Sequence, residues 1–270
     1  QFTVRGSRSP IGRTKTLPIG NVDRIRLAVT SCSNYPYGFF NAYRMVANRA
    51  DLDAVLHLGD YIYEYAEGTY GEGAKIGRIP SPNKEIVTLQ DYRMRYAQYR
   101  TDVDLQEAHR QHPWIMVWDD HESTNDSWVG GAQNHQANEG DWSDRRAVAT
   151  QAWFEWLPVR ENPFQNDGQI YRSFRFGSLL DLIMLDTRLA ARDQQVAATS
   201  PAIFDPNRTL LGVDQEAWFN NELLASQRRA SRWRFVGQQV VMAQVVADAA
   251  GTPFNADQWD GYQASRARFL

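Results

Sequence analysis

Across residues 23–30, Ile25, Leu27 and Val29 alternate with less apolar neighbours, the period-two signature of a strand, and the pattern stops at Ser31-Cys32. Phe39, Ala42, Tyr43, Val46 and Ala47 then recur at helical spacing over residues 39–49. Residues 54–58 form a short apolar run closed by Gly59-Asp60, as a buried strand would be. Strand, helix, strand within one span is a βαβ unit, so the two strands are expected to be parallel.

Further along, a glycine-rich loop over 68–82 precedes Thr88-Leu89-Gln90-Asp91, which has the form of a helix capping box. Leu89, Tyr92, Tyr96 and Tyr99 share one helical face, and Pro113 ends the helical region. Residues 114–118 are a third strand, running directly into Asp119-Asp120-His121-Glu122. A polar loop to Glu139 leads to a helix over 142–156. Two strands at 170–176 and 179–185 flank Gly177-Ser178 as a β-hairpin. A helix over 213–226 and a strand over 233–241 follow. The first twenty residues alternate weakly at Phe2 and Val4, then pass through Pro10, Gly12, Pro18 and Gly20. They read as the last strand of something upstream, followed by a linker.

Composition narrows the class. The 270 residues are 43% hydrophobic and 23% charged, as in an ordinary globular domain. Nine tryptophans and an aromatic share of 12% point to wide aromatic packing around loops. The net charge is −3 and the basic residues are scattered, so no stripe for nucleic acid is present. No apolar run approaches the roughly 18 residues of a membrane span. Cys32 is the one cysteine, so no internal disulfide can form and the compartment stays open.

The candidate chemistry follows the strands. Three of them end in Cys32, Asp60 and Asp119-Asp120-His121, and in open α/β sheets ligands bind beyond the carboxyl ends of strands. A carboxylate held there can bridge two metal ions, although for a bare Gly-Asp a helix cap is the stronger reading. Four ionisable groups in a row after a buried strand demand either solvent or a cation. Cys32 taken alone reads as a small buried hydrophobe. His57 reads as a core histidine; His109, His112 and His135 have no partner visible in the sequence. Asp186-Thr187-Arg188 is either an anion site or a structural Asp–Arg pair.

Together these residues resemble the alkaline phosphatase D (PhoD-like) family of the metallophosphoesterase superfamily. The resemblance runs through Ser31-Cys32, the Gly-Asp-Tyr-Ile-Tyr-Glu-Tyr stretch from Gly59 to Tyr65, and Trp118-Asp119-Asp120-His121-Glu122 with Asn125. It continues through Asp186-Thr187-Arg188 and Trp259-Asp260-Gly261-Tyr262, and Ser9–Thr14 resembles the family's exit from a small N-terminal β-sandwich. It implies an α/β fold, a metallophosphatase-like four-layer αββα sandwich. Residues 1–20 would be the strand and linker of the sandwich domain, and 21–270 the catalytic domain. The family's late Gly-Asp-x-His segment and a further histidine have no counterpart after Tyr262, so the catalytic domain is expected to be incomplete at its C-terminal end.

The resemblance also implies roles. Cys32 and Tyr63 would bind ferric iron, Asp60 would bridge the metals, and Asn125 would bind calcium, hard oxygen donors suiting calcium and thiolate and phenolate suiting iron. Asp120 and His121 would line the phosphate side, His121 as proton donor or as an orienter of its neighbours. Arg188 would hold the substrate. The implied activity is hydrolysis of phosphate monoesters and diesters by in-line attack of a metal-activated oxygen, in a secreted, periplasmic or cell-surface protein. The expected partners are a phosphate ester and the remainder of the same protein. Two rivals stay open: a phospholipase-like phosphodiesterase on the same fold, and a non-catalytic domain that binds metal or anions weakly.

Overall fold

The computed structural model describes residues 1–160 and 168–270. Its centre is two three-stranded sheets. The first holds β3 (Leu27–Thr30), β4 (Ala54–His57) and β5 (Trp114–Met116), all parallel, with Leu27 opposite Ala54 and Val55 opposite Trp114. Between β3 and β4 the chain crosses over through α1 (Asn41–Ala47), which completes the expected βαβ unit. The second sheet holds β8 (Arg172–Phe176) and β9 (Leu180–Met184), an antiparallel hairpin, with β10 (Trp233–Gly237) added parallel to β9. Gly177, at φ 56°, makes the hairpin turn, and a side chain there would meet Gly20 O at 2.4 Å.

Alternation decides how the layers stack. Leu180, Leu182 and Met184 of β9 point into one core with Val55, Leu56, Ile115 and Met116 of the first sheet. Ile183 and Leu185 point the other way, into a second cluster with Phe219, Trp259 and Tyr262. All five β9 residues and all four β4 residues are therefore buried, as strands covered on both faces must be. Helices α2 (Leu89–Tyr99), α3 (Val103–Gln111) and α4 (Trp142–Trp156) flank the shared core with α1. Helices α5 (Gly212–Arg228) and α6 (Gln263–Phe269) close the far side. This is the four-layer α/β arrangement expected from the sequence.

Several elements depart from that reading. The helical region before Pro113 is two helices: Thr88 and Asp91 form the capping box of α2, and Asp102 caps α3 by accepting from Asp104 N and Leu105 N. The first residues form a minimal hairpin, β1 (Thr3–Val4) and β2 (Ser7–Arg8), both exposed, instead of one strand. A second small hairpin, β6 (Ser127–Trp128) and β7 (Gly131–Ala132), folds within the polar loop after β5. The last strand stops at Gly237, short of Val241. Among the described residues, no helix is long and apolar enough to cross a membrane.

Candidate metal centre at the strand ends

The three parallel strands of the first sheet release their chains side by side, and the exits are bonded to each other. Leu58 N donates to Thr30 O at 2.9 Å, Cys32 N to Gly59 O at 3.1 Å, and Ser33 N to Asp60 O at 2.7 Å. This packing forces unusual backbone. Cys32 (φ 58°) and Asp60 (φ 56°) both occupy the left-handed region, which few non-glycine residues enter. Gly59 lies between them in space at φ 104°, and a Cβ on it would stand 2.2 Å from Asp119 N. Only glycine lets the β4 and β5 exits touch here. Such strain persists where surrounding structure over-determines it, and it concentrates at functional sites.

On this frame the side chains converge on Asp60. Its Oδ2 accepts from Cys32 Sγ at 3.4 Å and from Tyr63 Oη at 3.1 Å, and its Oδ1 from His121 N at 3.4 Å. Ligand atoms of Asp60, Asp120 and His121 all lie within 4.8 Å of one another. Asp120 Oδ2 accepts from Asp126 N at 2.7 Å. Tyr63 and Tyr65 pack their rings against His121, with centroids 4.2 and 5.6 Å away.

The charge states show what the cluster lacks. Burial, reinforced by Asp119 and Asp120, lifts the Asp60 carboxyl well above the usual carboxylate range. Burial and Asp60 push the Cys32 thiol up to about 11, and burial with Asp60 and Cys32 raises the Tyr63 phenol far beyond its normal value. Burial pushes Asp119 up to about 6 against the pull of Arg188. Burial opposes the charge on Asp120 too, yet Arg188 and His121 hold it well below normal. Burial disfavours a charged His121, but the Asp120 and Glu64 carboxylates outweigh it and hold its ring well above the usual value. Thiol, phenol and carboxyl thus crowd one point, each resisting ionisation because it is buried and because the other acidic groups stand beside it. A cation there would reverse all three shifts, so the donor set fits a bound metal ion.

A comparison with known families decides the affiliation. The PhoD-like phosphatase family profile matches residues 27–270. The chain belongs to that family. It is similar to alkaline phosphatase D of Bacillus subtilis (strain 168), at 41% identity over 280 residues, covering all of this chain and 47% of that protein. The solved structure of PhoD superposes with a TM-score of 0.86 at 39% identity, over 96% of this chain and 50% of the other. The purple acid phosphatase PPD1 of yellow lupin (Lupinus luteus) matches at a TM-score of 0.52 and 14% identity, over 87% and 34%. At that identity it speaks for the metallophosphatase fold alone. The chain spans about half the length of the PhoD relatives it matches.

Within this PhoD-like frame, the residues expected from the sequence fall into two groups. Cys32, Asp60, Tyr63, Asp120 and His121 meet at one place. Asn125 lies on the same loop as His121, its backbone N–H on Glu64 and its side-chain amide nitrogen donating to Gln133 Oε1 at 2.9 Å. Arg188 is the exception. Its guanidinium is buried and engaged by Asp119 at 2.6 Å and by both oxygens of Asp257 at 2.8 Å. Of its two sequence readings, the geometry matches the structural ion pair, although the carboxylates are distant in sequence. Asp186 instead accepts the backbone N–H of Arg188 and Leu189. His57 is a fully buried core residue beside Tyr43 and Ser33. His109 meets Tyr61 Oη at 3.0 Å and stacks on Trp114; His112 meets Val46 O. His135 lies against Gly140 O at 3.0 Å.

Four further residues shape the site although the sequence assigns them no individual role. Glu64 and Glu122 stand inside the quoted motifs, and both are buried against the site. Asp257 lies two residues before the Trp-Asp-Gly-Tyr segment and links Arg188 to Arg192. Arg95 of α2 donates to the carbonyls of Tyr63, Tyr65, Ser81, Pro82 and Lys84, and so clamps the loop that carries Tyr63. The spacing of Glu64 and Glu122 within their motifs was the available signal; nothing local marks Arg95 or Asp257.

Proposed function

We propose that this chain forms part of a metal-dependent phosphoric ester hydrolase acting on phosphate monoesters and diesters. The observation that carries the reading is the convergence of the Cys32 thiol and the Tyr63 phenol on one oxygen of Asp60, itself held in left-handed backbone. Membership of the PhoD-like family supports it.

Sulfur and phenolic oxygen suit ferric iron, so Cys32, Tyr63 and Asp60 would hold that ion. Carboxylate and amide oxygen suit calcium, which Asp60 and Asn125 would share. Bound there, the metals would polarise the phosphoryl oxygens and acidify water for in-line attack. The protein's own part is to hold Asp60 fixed, to keep Asp120 ionised through Arg188, and to set His121 beside the phosphate, where a charged ring can steady growing negative charge or give up a proton. Arg188 acts here by positioning Asp119 and Asp120, since its own donors are engaged on carboxylates. We place the parent protein outside the cytoplasm, as a secreted, periplasmic or cell-surface enzyme; cell fractionation followed by immunoblotting checks this.

The test uses the native polypeptide that carries this chain. It should contain iron by elemental analysis and show a visible charge-transfer band, and chelation should remove calcium and activity together. Colour that survives Tyr63→Phe combined with Cys32→Ser would remove the iron assignment, and full turnover in metal-free enzyme would remove the hydrolase mechanism.

A further inference from the structure

Glu64 and Glu122 leave adjacent strands of the first sheet, and each spends its carboxylate on the other's loop. Glu64, beyond β4, reaches the loop beyond β5. Its Oε2 meets His121 Nδ1 at 2.7 Å, and its Oε1 accepts from Asn125 N at 2.8 Å, Thr124 Oγ1 at 3.0 Å and Asn134 Nδ2 at 3.1 Å. Glu122, beyond β5, reaches back. Its Oε1 accepts from Tyr61 N at 2.6 Å, and its Oε2 from Asp60 N and Asp119 N, both at 2.9 Å. Glu64 is wholly buried and Glu122 nearly so.

A buried carboxylate is costly unless its lone pairs are filled, and these two are filled by seven donors between them. The choice of donors is informative. Asp60 N and Tyr61 N belong to the peptide planes on either side of the Asp60 Cα. Anchoring both planes on one carboxylate fixes φ and ψ of Asp60, the residue held in left-handed backbone. Glu64, in turn, engages Nδ1 of His121, whose ring also offers a ligand atom within 4.8 Å of those of Asp60 and Asp120. Through the amide of Asn125 it also sets the start of the turn that carries that side chain.

We infer that Glu64 and Glu122 are positioning residues that form a reciprocal clasp between the two loops, holding Asp60 and His121 in working register before any ligand binds. Neither touches the reacting atoms. The catalytic arm of the test rests on the hydrolase reading above; the structural arm does not.

The experiment compares the native polypeptide with Glu122→Gln and Glu64→Gln. A glutamine of the same shape turns one accepting oxygen into a donor facing donors. By hydrogen exchange, the Asp60 and Tyr61 amides should lose protection at least about a hundredfold in Glu122→Gln, while the β9 amides keep theirs. By proton NMR of the metal-free polypeptide, the hydrogen-bonded Nδ1 proton of His121 should be seen in the wild type and lost in Glu64→Gln. Both variants should lower kcat tenfold or more, with KM changed less than about threefold. Where a variant fails to fold, Asn134→Ala removes one donor from Glu64 without stranding a charge, and should lower kcat threefold to tenfold. Unchanged amide protection and an unchanged His121 ring signal in folded variants would overturn the clasp, as would an unchanged kcat in Asn134→Ala. A wild type that keeps both signatures but hydrolyses no phosphate ester would sink the functional reading and leave the clasp standing.

Discussion

At the scale of single residues, the centre depends on backbone conformations that only some side chains tolerate. Asp60 holds φ 56°, and asparagine enters that region as readily as aspartate, so Asp60→Asn should fold normally. It removes the charge on which Cys32, Tyr63 and His121 N converge, and should lower turnover of a chromogenic phosphodiester more than about a hundredfold at an unchanged melting temperature. Activity within tenfold of wild type, about 1.4 kcal/mol, would rule out a bridging role. Gly59→Ala is the contrasting case. Its Cβ would stand 2.2 Å from Asp119 N, a backbone atom that cannot swing aside, at a φ unfavourable for alanine. A loss of at least about 2 kcal/mol is expected, read from the urea midpoint; a neutral result would mean that the strand exits separate easily. The sequence makes Cys32, Asp60, Tyr63, Asp120 and His121 legible because each sits at a strand's end or in a dense motif. It hides which way Glu64 and Glu122 reach, since a side chain's direction depends on the neighbouring loop. It also hides the partners of Arg188, because Asp119 and Asp257 each lie 69 residues away.

At the scale of elements, β3, α1, β4 and β5 were readable because apolar spacing reports burial directly, and β8 with β9 because Gly177 marks the turn. The break between α2 and α3 was not read. The buried face runs through Tyr92, Tyr96 and Tyr99 and then shifts phase to Leu105 and Ala108, and Asp102 caps the second helix where the phase changes. The strand β4 carries a testable consequence of being covered on both faces. His57 is fully buried among Tyr43, Ser33, Tyr61 and Trp114, and burial pushes its imidazole down to about 3. The unfolded chain protonates it near pH 6.5. Between those values the unfolded state binds more protons than the folded one, so stability falls as pH drops from about 6.5 toward 3. Over two pH units in that window the His57 share is about 2–3 kcal/mol. Urea denaturation at pH 6.5 and 4.5 measures it. His57→Gln should show a shallower acid loss than wild type by that margin, and parallel losses would mean that His57 accepts a proton in place.

At the scale of the whole molecule, the two sheets end on one side with strands that, among the described residues, have a neighbour on one edge only: β3 pairs with β4, and β10 with β9. A groove of about 780 Å³ opens between them, lined by Leu27, Val29, Met45, Leu179, Trp233 and Phe235. Val29 is 61% exposed, Trp233 56% and Phe235 48%, whereas every residue of the inner strands β4 and β9 is buried. Large apolar side chains beside unpaired backbone donors and acceptors make a template for another strand. Asp23, Arg24, Arg26, Arg49 and Arg232 also line the groove and add charge beside its apolar residues. The 270-residue polypeptide alone is therefore expected to self-associate, with a weight-average mass rising above 30.9 kDa as concentration increases. Sedimentation velocity across a hundredfold concentration range measures this. Val29→Lys with Phe235→Lys places a charge on each open strand, the device by which natural edges resist pairing. Neither side chain is needed by the inner core, so the double variant should stay monomeric and keep the wild-type circular dichroism spectrum. A wild-type chain that remains monomeric throughout would show that the groove, though apolar, is closed to a second strand. Association that persists in the double variant would place the contact on another face.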